Sequence, residues 1–110
     1  MQLKLEERNG VLIATPQVDR LDVKTVPEFR DEIVRAVENH AKVILNLELI
    51  NFVDSTGLGA LMSVIRRLNQ KGGGLRLAGL QQQVTAMFRL VRMHKIFDTF
   101  DNVNDALAGW

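Results

Sequence analysis

With 110 residues, 46% of them apolar and 25% charged, the chain has the size and balance of one soluble globular domain with a real core and little to spare. The 14 Lys and Arg against 13 Asp and Glu leave a net charge of +1, so no whole-protein field points to nucleic acid or to an anionic membrane. The lack of cysteine excludes disulfides and thiolate metal sites, and there is no run of about 18 apolar residues to suggest a membrane span. Met1 to Asn9 is polar and alternating, unlike a signal peptide, so the cytoplasm is the default location.

In chain order, Leu3 and Leu5 alternate with polar neighbours, Asn9-Gly10 is a two-residue turn signal, and Val11-Leu12-Ile13-Ala14 resumes an apolar run; this predicts an opening β-hairpin. Pro16 to Lys24 reads as a loop. Thr25-Val26-Pro27-Glu28 reads as a helix start, with a hydroxyl cap, an early proline and a glutamate three residues on. Val26, Phe29, Ile33, Ala36 and Val37 give that helix its apolar face, ending near Asn39. Val43-Ile44-Leu45-Asn46-Leu47 has the composition of a buried strand. Leu58, Leu61, Met62, Ile65 and Leu68 then recur at steps of three and four, which predicts a helix to about Gln70. After a Gly72-Gly73-Gly74 loop come a strand at Leu75–Ala78, a third helix marked by Val84, Met87, Phe88 and Val91, a short edge strand at Phe97–Phe100 and a last helical turn or two at Val103, Ala106 and Leu107. The order ββαβαβαβα implies crossovers and a mixed, mostly parallel sheet with helices packed on it. Ligands and partners of such sheets meet the loops that follow strands. Two acid-bearing loops, Asp19 to Asp22 and Asn51 to Gly57, are expected to converge there.

The most informative stretch is Asn51-Phe52-Val53-Asp54-Ser55-Thr56-Gly57-Leu58-Gly59-Ala60-Leu61, where the period changes from strand to helix. Asp54 and Ser55 are placed just before a helix N-terminus, where free N–H groups and the helix dipole favour negative charge. Asp and Ser are ordinary caps and Gly permits close packing, so a structural role is one reading. Against it, Asp54, Ser55 and Thr56 offer more capping groups than one terminus needs, and Gly57 and Gly59 each cost about 1 kcal/mol in a helix relative to Ala. Small residues in a first turn leave backbone accessible to a phosphate or a closely docked partner.

Other chemistries lack their residues. Gly57-Leu58-Gly59 is not a dinucleotide fingerprint, and no Gly-x-x-x-x-Gly-Lys-Ser/Thr loop is present. Asp54-Ser55-Thr56-Gly57 has one residue too many for an aspartic-protease motif, and Ser55 is in no Gly-x-Ser-x-Gly elbow. His40 and His94 read as surface residues, and no His/Asp/Glu spacing indicates a metal. Arg66, Arg67 and Lys71, and likewise Arg89, Arg92 and Lys95, read as solvated basic faces.

Phe52-Val53-Asp54-Ser55-Thr56-Gly57-Leu58-Gly59-Ala60-Leu61 closely resembles the signature of the anti-sigma factor antagonists, the small single STAS-domain proteins of bacteria. The resemblance covers nearly the whole chain, including the strand Val43–Leu47, the Gly-rich loop after the helix, and Leu21-Asp22 ahead of the first long helix. The earlier family pattern Gly-x-Leu/Ile-Asp is partly kept, with Asp19 where glycine is usual. The resemblance implies one STAS domain over residues 1–110 that needs no cofactor, catalyses nothing itself and works by partner switching. Unphosphorylated, it would bind an anti-sigma factor that is also a serine kinase, and so free a sigma factor. That kinase would phosphorylate Ser55, the serine directly after the signature Asp, with Thr56 the neighbouring competitor, and a PP2C-type phosphatase would reset it. Partner contacts would fall on Asp22, Asp54, Ser55, Thr56, Gly57, Leu58 and Gly59, with the two acids serving recognition and phosphotransfer geometry more than folding. The alternatives are a STAS scaffold or transporter-associated subunit that never cycles through phosphate, and, from another class, a small nucleotide- or phosphate-binding enzyme domain.

Overall fold

The structure is a computed structural model that describes residues 3–110, so the first two residues of the polar N-terminal segment lie outside it. Strands β1 (Leu3–Arg8) and β2 (Val11–Pro16) form the predicted antiparallel hairpin, in register from Leu3↔Pro16 to Arg8↔Val11. Both turn residues, Asn9 (φ 54°) and Gly10 (φ 78°), are left-handed, as a tight hairpin matched to strand twist requires. The chain continues through β3 (Arg20–Leu21), α1 (Val26–Ala36), β4 (Lys42–Asn46), β5 (Phe52–Val53), α2 (Ser55–Gln70), β6 (Gly74–Ala78), α3 (Gln82–Leu90), a 3-10 turn (Met93–Lys95), β7 (Asp98–Phe100) and α4 (Val103–Leu107). The main sheet has the order β1-β2-β4-β6-β7, parallel from β2 onward.

The central strands are apolar on both sides because both faces are covered. Leu12, Ala14, Val43, Leu45, Leu75 and Leu77 point to the layer formed by α1, α2 and α3, where Phe29, Ile33, Leu61, Leu68 and Phe88 are buried. Val11, Ile13, Ile44 and Ala78 point the other way, beneath Ala106, with Phe100, Val103, Leu107 and Trp110 alongside. Arg76 anchors that second layer. Its guanidinium carbon lies 5.2 Å from the Phe100 ring centre and 4.4 Å from that of Trp110, and Nη1 donates to the Ala106 carbonyl at 2.8 Å.

Four details differ from the sequence expectations. The segments Arg20–Leu21 and Phe52–Val53, expected as loop, pair with each other in parallel as a separate two-stranded ladder; two residues are too few to leave a periodic signal. Thr25 makes no side-chain cap on α1. Its hydroxyl donates to the Arg20 carbonyl at 2.9 Å, while the Asp22 carboxylate accepts from the Thr25 and Lys24 amides instead. Lys71 is exposed, as expected, but it is also anchored. Its ammonium donates to the carbonyls of Val37 (2.6 Å) and Glu38 (2.9 Å), holding the turn that follows α1. His40 is half-buried, with Nδ1 on the Ala36 carbonyl and Nε2 3.1 Å from Glu7.

Candidate functional site

The two acid-bearing loops do converge, and the short ladder is what joins them. Arg20 pairs with Phe52 and Leu21 with Val53. The Asn51 amide donates to the Asp19 carbonyl at 2.7 Å, and the Asp54 amide to the Leu21 carbonyl at 3.1 Å. Asp54 then leaves the strand with extended backbone (φ −95°, ψ −175°) as the N-cap of α2. Its Oδ1 accepts from the Gly57 amide at 2.9 Å, a cap worth about 0.5–2 kcal/mol. Its Oδ2 accepts from the Val23 amide at 3.1 Å, across the gap between the loops. One carboxylate therefore starts the helix and fixes the neighbouring loop.

Asp22 closes the other loop. Its side chain is buried, with Oδ1 accepting from the amides of Lys24 (3.0 Å) and Thr25 (3.2 Å) and Oδ2 lying 3.6 Å from Arg20 Nη1. Arg20 also reaches Asp19 at 3.7 Å and lies over the Phe52 ring at 5.5 Å. Loss of water around Asp22 pushes its carboxyl up. The Thr25 and Lys24 amides, then the Arg20 charge and the Thr25 hydroxyl, outweigh that and bring it below its ordinary 3.8. A carboxyl that ionises more easily folded than unfolded stabilises the fold above its ordinary value, and that stability disappears as pH falls through the lowered one. Asp22→Asn is thus expected to be less stable than the parent protein at pH 7. The gap should narrow as the pH falls below about 4, as read by urea denaturation at both pH values.

Ser55 is the first residue of α2. Its side chain is exposed, whereas Thr56 is half-buried, and neither hydroxyl has a hydrogen-bond partner among the described residues. The excess of capping groups noted in the sequence thus resolves into one working cap, Asp54, and two free hydroxyls. Gly57 and Gly59 separate too. Gly57 is buried, and a Cβ there would stand 2.4 Å from the Leu21 carbonyl oxygen and 2.8 Å from Val53 Cγ1. It is a packing glycine, contrary to the expectation of accessible backbone at both positions. Gly59 opens onto space in which only Arg30 Nη2 comes near, at 4.0 Å. Leu58 is half-buried and packs against the core. Sequence reasoning missed Val23 and Phe52, exposed apolar residues at 66% and 47% exposure on the two joined loops: the Val23 amide donates to Asp54, and Phe52 pairs with Arg20 in the short ladder. Isolated apolar residues in predicted loops carry no period to mark them. Among the described residues no group of three or more His, Asp or Glu side chains is placed to hold a metal, and no helix is long and apolar enough to cross a membrane.

The fold recurs in known proteins. The family model for the STAS domain matches residues 2–106. The anti-sigma F factor antagonist of Paenibacillus polymyxa is 28% identical over 110 residues, spanning 98% of this chain and 93% of the relative. Among solved structures, an anti-sigma-factor antagonist (STAS) domain protein from Planctomyces limnophilus superposes with a TM-score of 0.87 at 14% identity, covering 96% of this chain and 94% of that one. The anti-sigma factor antagonist SpoIIAA in its unphosphorylated form superposes with a TM-score of 0.76 at 22% identity, covering 96% and 93%. The Bacillus SpoIIAA in the phosphorylated form does so at 0.71 and 20% identity, covering 96% of each chain. The chain belongs to the STAS-domain family.

Proposed function

We propose that this STAS-domain protein is an anti-sigma factor antagonist controlled by phosphate on Ser55. Unphosphorylated, it binds in the cytoplasm to an anti-sigma factor that is also a serine kinase, and so releases a sigma factor. The kinase transfers the γ-phosphoryl group of its ATP to Ser55 Oγ. The O–P bond forms as the bond to ADP breaks, and the hydroxyl proton passes to the kinase. A PP2C-type phosphatase hydrolyses the ester, returning the hydroxyl and free phosphate.

The observation that carries this reading is the Ser55 hydroxyl: exposed, without a hydrogen-bond partner among the described residues, and on the first turn of a 16-residue helix. A kinase must reach the oxygen, and no hydrogen bond from the described residues competes for it. Around it, Val23 and Phe52 offer apolar surface of the kind that partner interfaces bury. Asp54 and Asp22 hold the two loops in one geometry. In this reading their charges also orient the partner's nucleotide site, beyond their part in the fold. Thr56 is the poorer acceptor because it is half-buried. Leu58 and Gly59 extend the contact along α2.

Incubation with the cognate kinase and ATP should add one phosphate to the intact mass, mapped by fragmentation to Ser55, and Ser55→Ala should take up none. Stoichiometric phosphate on Ser55→Ala would transfer the role to another residue. A parent protein that stays unmodified while binding its partners would leave a scaffold that does not cycle through phosphate.

A further inference from the structure

Ser55, Gly59 and Ser63 are spaced four residues apart along α2 and so stack on one face. Arg30 of α1 lies across that face. Its Nη1 donates to Ser63 Oγ at 3.3 Å, Ser63 Oγ donates in turn to the Gly59 carbonyl at 3.1 Å, and Nη2 is 4.0 Å from where a Gly59 side chain would begin. No carboxylate pairs with Arg30 among the described residues, and its guanidinium borders an open groove of about 550 Å³ between α1 and α2. Its hydrogen bond to α2 is thus made to a neutral hydroxyl, and a glycine stands between that serine and Ser55 on the same face.

A phosphate on Ser55 needs such a cation. The helix end is less receptive than its position implies, because the Asp54 amide donates to the Leu21 carbonyl and the Gly57 amide to the Asp54 carboxylate. Charged groups beside this junction include Asp54 itself, Arg20 of β3, and Asp22 and Lys24 of the β3–α1 loop. Arg20 is engaged by Asp19 and Asp22. Gly59 lies about 6 Å from Ser55 along the helix axis, within the swing of an arginine side chain. A planar guanidinium also matches phosphate oxygens with two parallel hydrogen bonds, which an ammonium does not.

We propose that Arg30 is the intramolecular phosphate ligand of this domain: on phosphorylation it leaves Ser63, crosses the gap at Gly59 and pairs with phospho-Ser55. The inference rests on the reading that Ser55 carries the phosphate. The domain would then hold the modified side chain against itself, and the groove face of α2 would change along with its N-terminus.

The test uses the full chain with phosphoserine incorporated at position 55 during synthesis, so no kinase is needed and failure of the kinase assay would not decide it. The probe is ³¹P NMR of the phosphoserine. Its second ionisation is expected at lower pH in the parent than in Arg30→Gln, by about half a pH unit, since a paired cation favours the dianion. Lys24→Gln should leave the midpoint in place. Gly59→Leu, which keeps Arg30 but fills the gap, should shift it as Arg30→Gln does, and serves alone if Arg30→Gln fails to fold. A midpoint unmoved by both Arg30→Gln and Gly59→Leu would overturn the proposal, leaving the phosphate to backbone amides. A midpoint moved by Lys24→Gln and not by Arg30→Gln would overturn it in favour of the loop lysine.

Discussion

Phosphorylation of Ser55 is expected to weaken binding to the cognate anti-sigma kinase about a hundredfold while leaving the fold intact. A hundredfold corresponds to about 2.7 kcal/mol. The modification replaces a neutral hydroxyl with about −1.5 to −2 charges at neutral pH. Free in solution, that charge stands at an exposed position open to water and to the Arg30 guanidinium. In the complex it would lose water beside the Asp54 carboxylate and among the apolar contacts of Val23 and Phe52, and one desolvated like-charge clash is enough to supply the energy. The cap is unaffected, since it is made by Asp54 and not by Ser55. Ser55→Asp carries less charge, so it should act in the same direction and more weakly. Calorimetric titration against the kinase reads the affinity, and circular dichroism with thermal melting reads the fold. Tight kinase binding by both authentic phospho-Ser55 protein and Ser55→Asp would sink the partner-switch reading.

The second large effect is on stability. Gly57→Ala places a methyl group 2.4 Å from the Leu21 carbonyl oxygen and 2.8 Å from Val53 Cγ1. Helix propensity favours the change by about 1 kcal/mol, but overpacking of this kind costs about 1–3 kcal/mol. Here the clash is with backbone, which cannot rotate away. The same Leu21 carbonyl accepts the Asp54 amide, so relief of the clash would pull apart the ladder that joins the two loops. Overpacking should win, with Tm lowered by roughly 5–10 °C. Gly59→Ala is the control. Its Cβ meets nothing nearer than Arg30 Nη2 at 4.0 Å, so it is expected to melt at or slightly above the parent temperature. Equal melting of the two variants would remove the close-packing account of Gly57.

The hairpin, the parallel crossovers and the helices were legible in the sequence because each leaves a local, periodic trace. Asn9-Gly10 fixes a turn through two left-handed residues, and the run Val43–Leu47 is apolar throughout because β4 is covered on both faces. The face of α2 was readable too, though Ala60 and Val64 are buried where Met62 and Ile65 are only partly so; a helix wedged between α1 and the sheet buries a wider stripe than its largest side chains indicate. The strand-to-helix junction and its acid, hydroxyls and glycines were likewise visible as a site, through the break in period at Asp54.

What the chain's linear order did not carry was which of those junction groups does what. Asp54 and Ser55 are both good caps by type, and only the extended backbone at Asp54 makes it the cap and leaves Ser55 free. Gly57 and Gly59 are the same residue two positions apart. One faces the Leu21 carbonyl and the other faces Arg30, because successive helix positions turn by about 100° and meet different neighbours. Asp22 accepts amides from its own loop, and Lys71, exposed as expected, also holds carbonyls more than 30 residues away. The assignments of Gly57, Gly59 and Lys71 depend on partners distant in sequence. Residue types and periodicity therefore determined the elements and marked the candidate site, and tertiary packing decided which of its side chains are tied into the fold and which are left exposed.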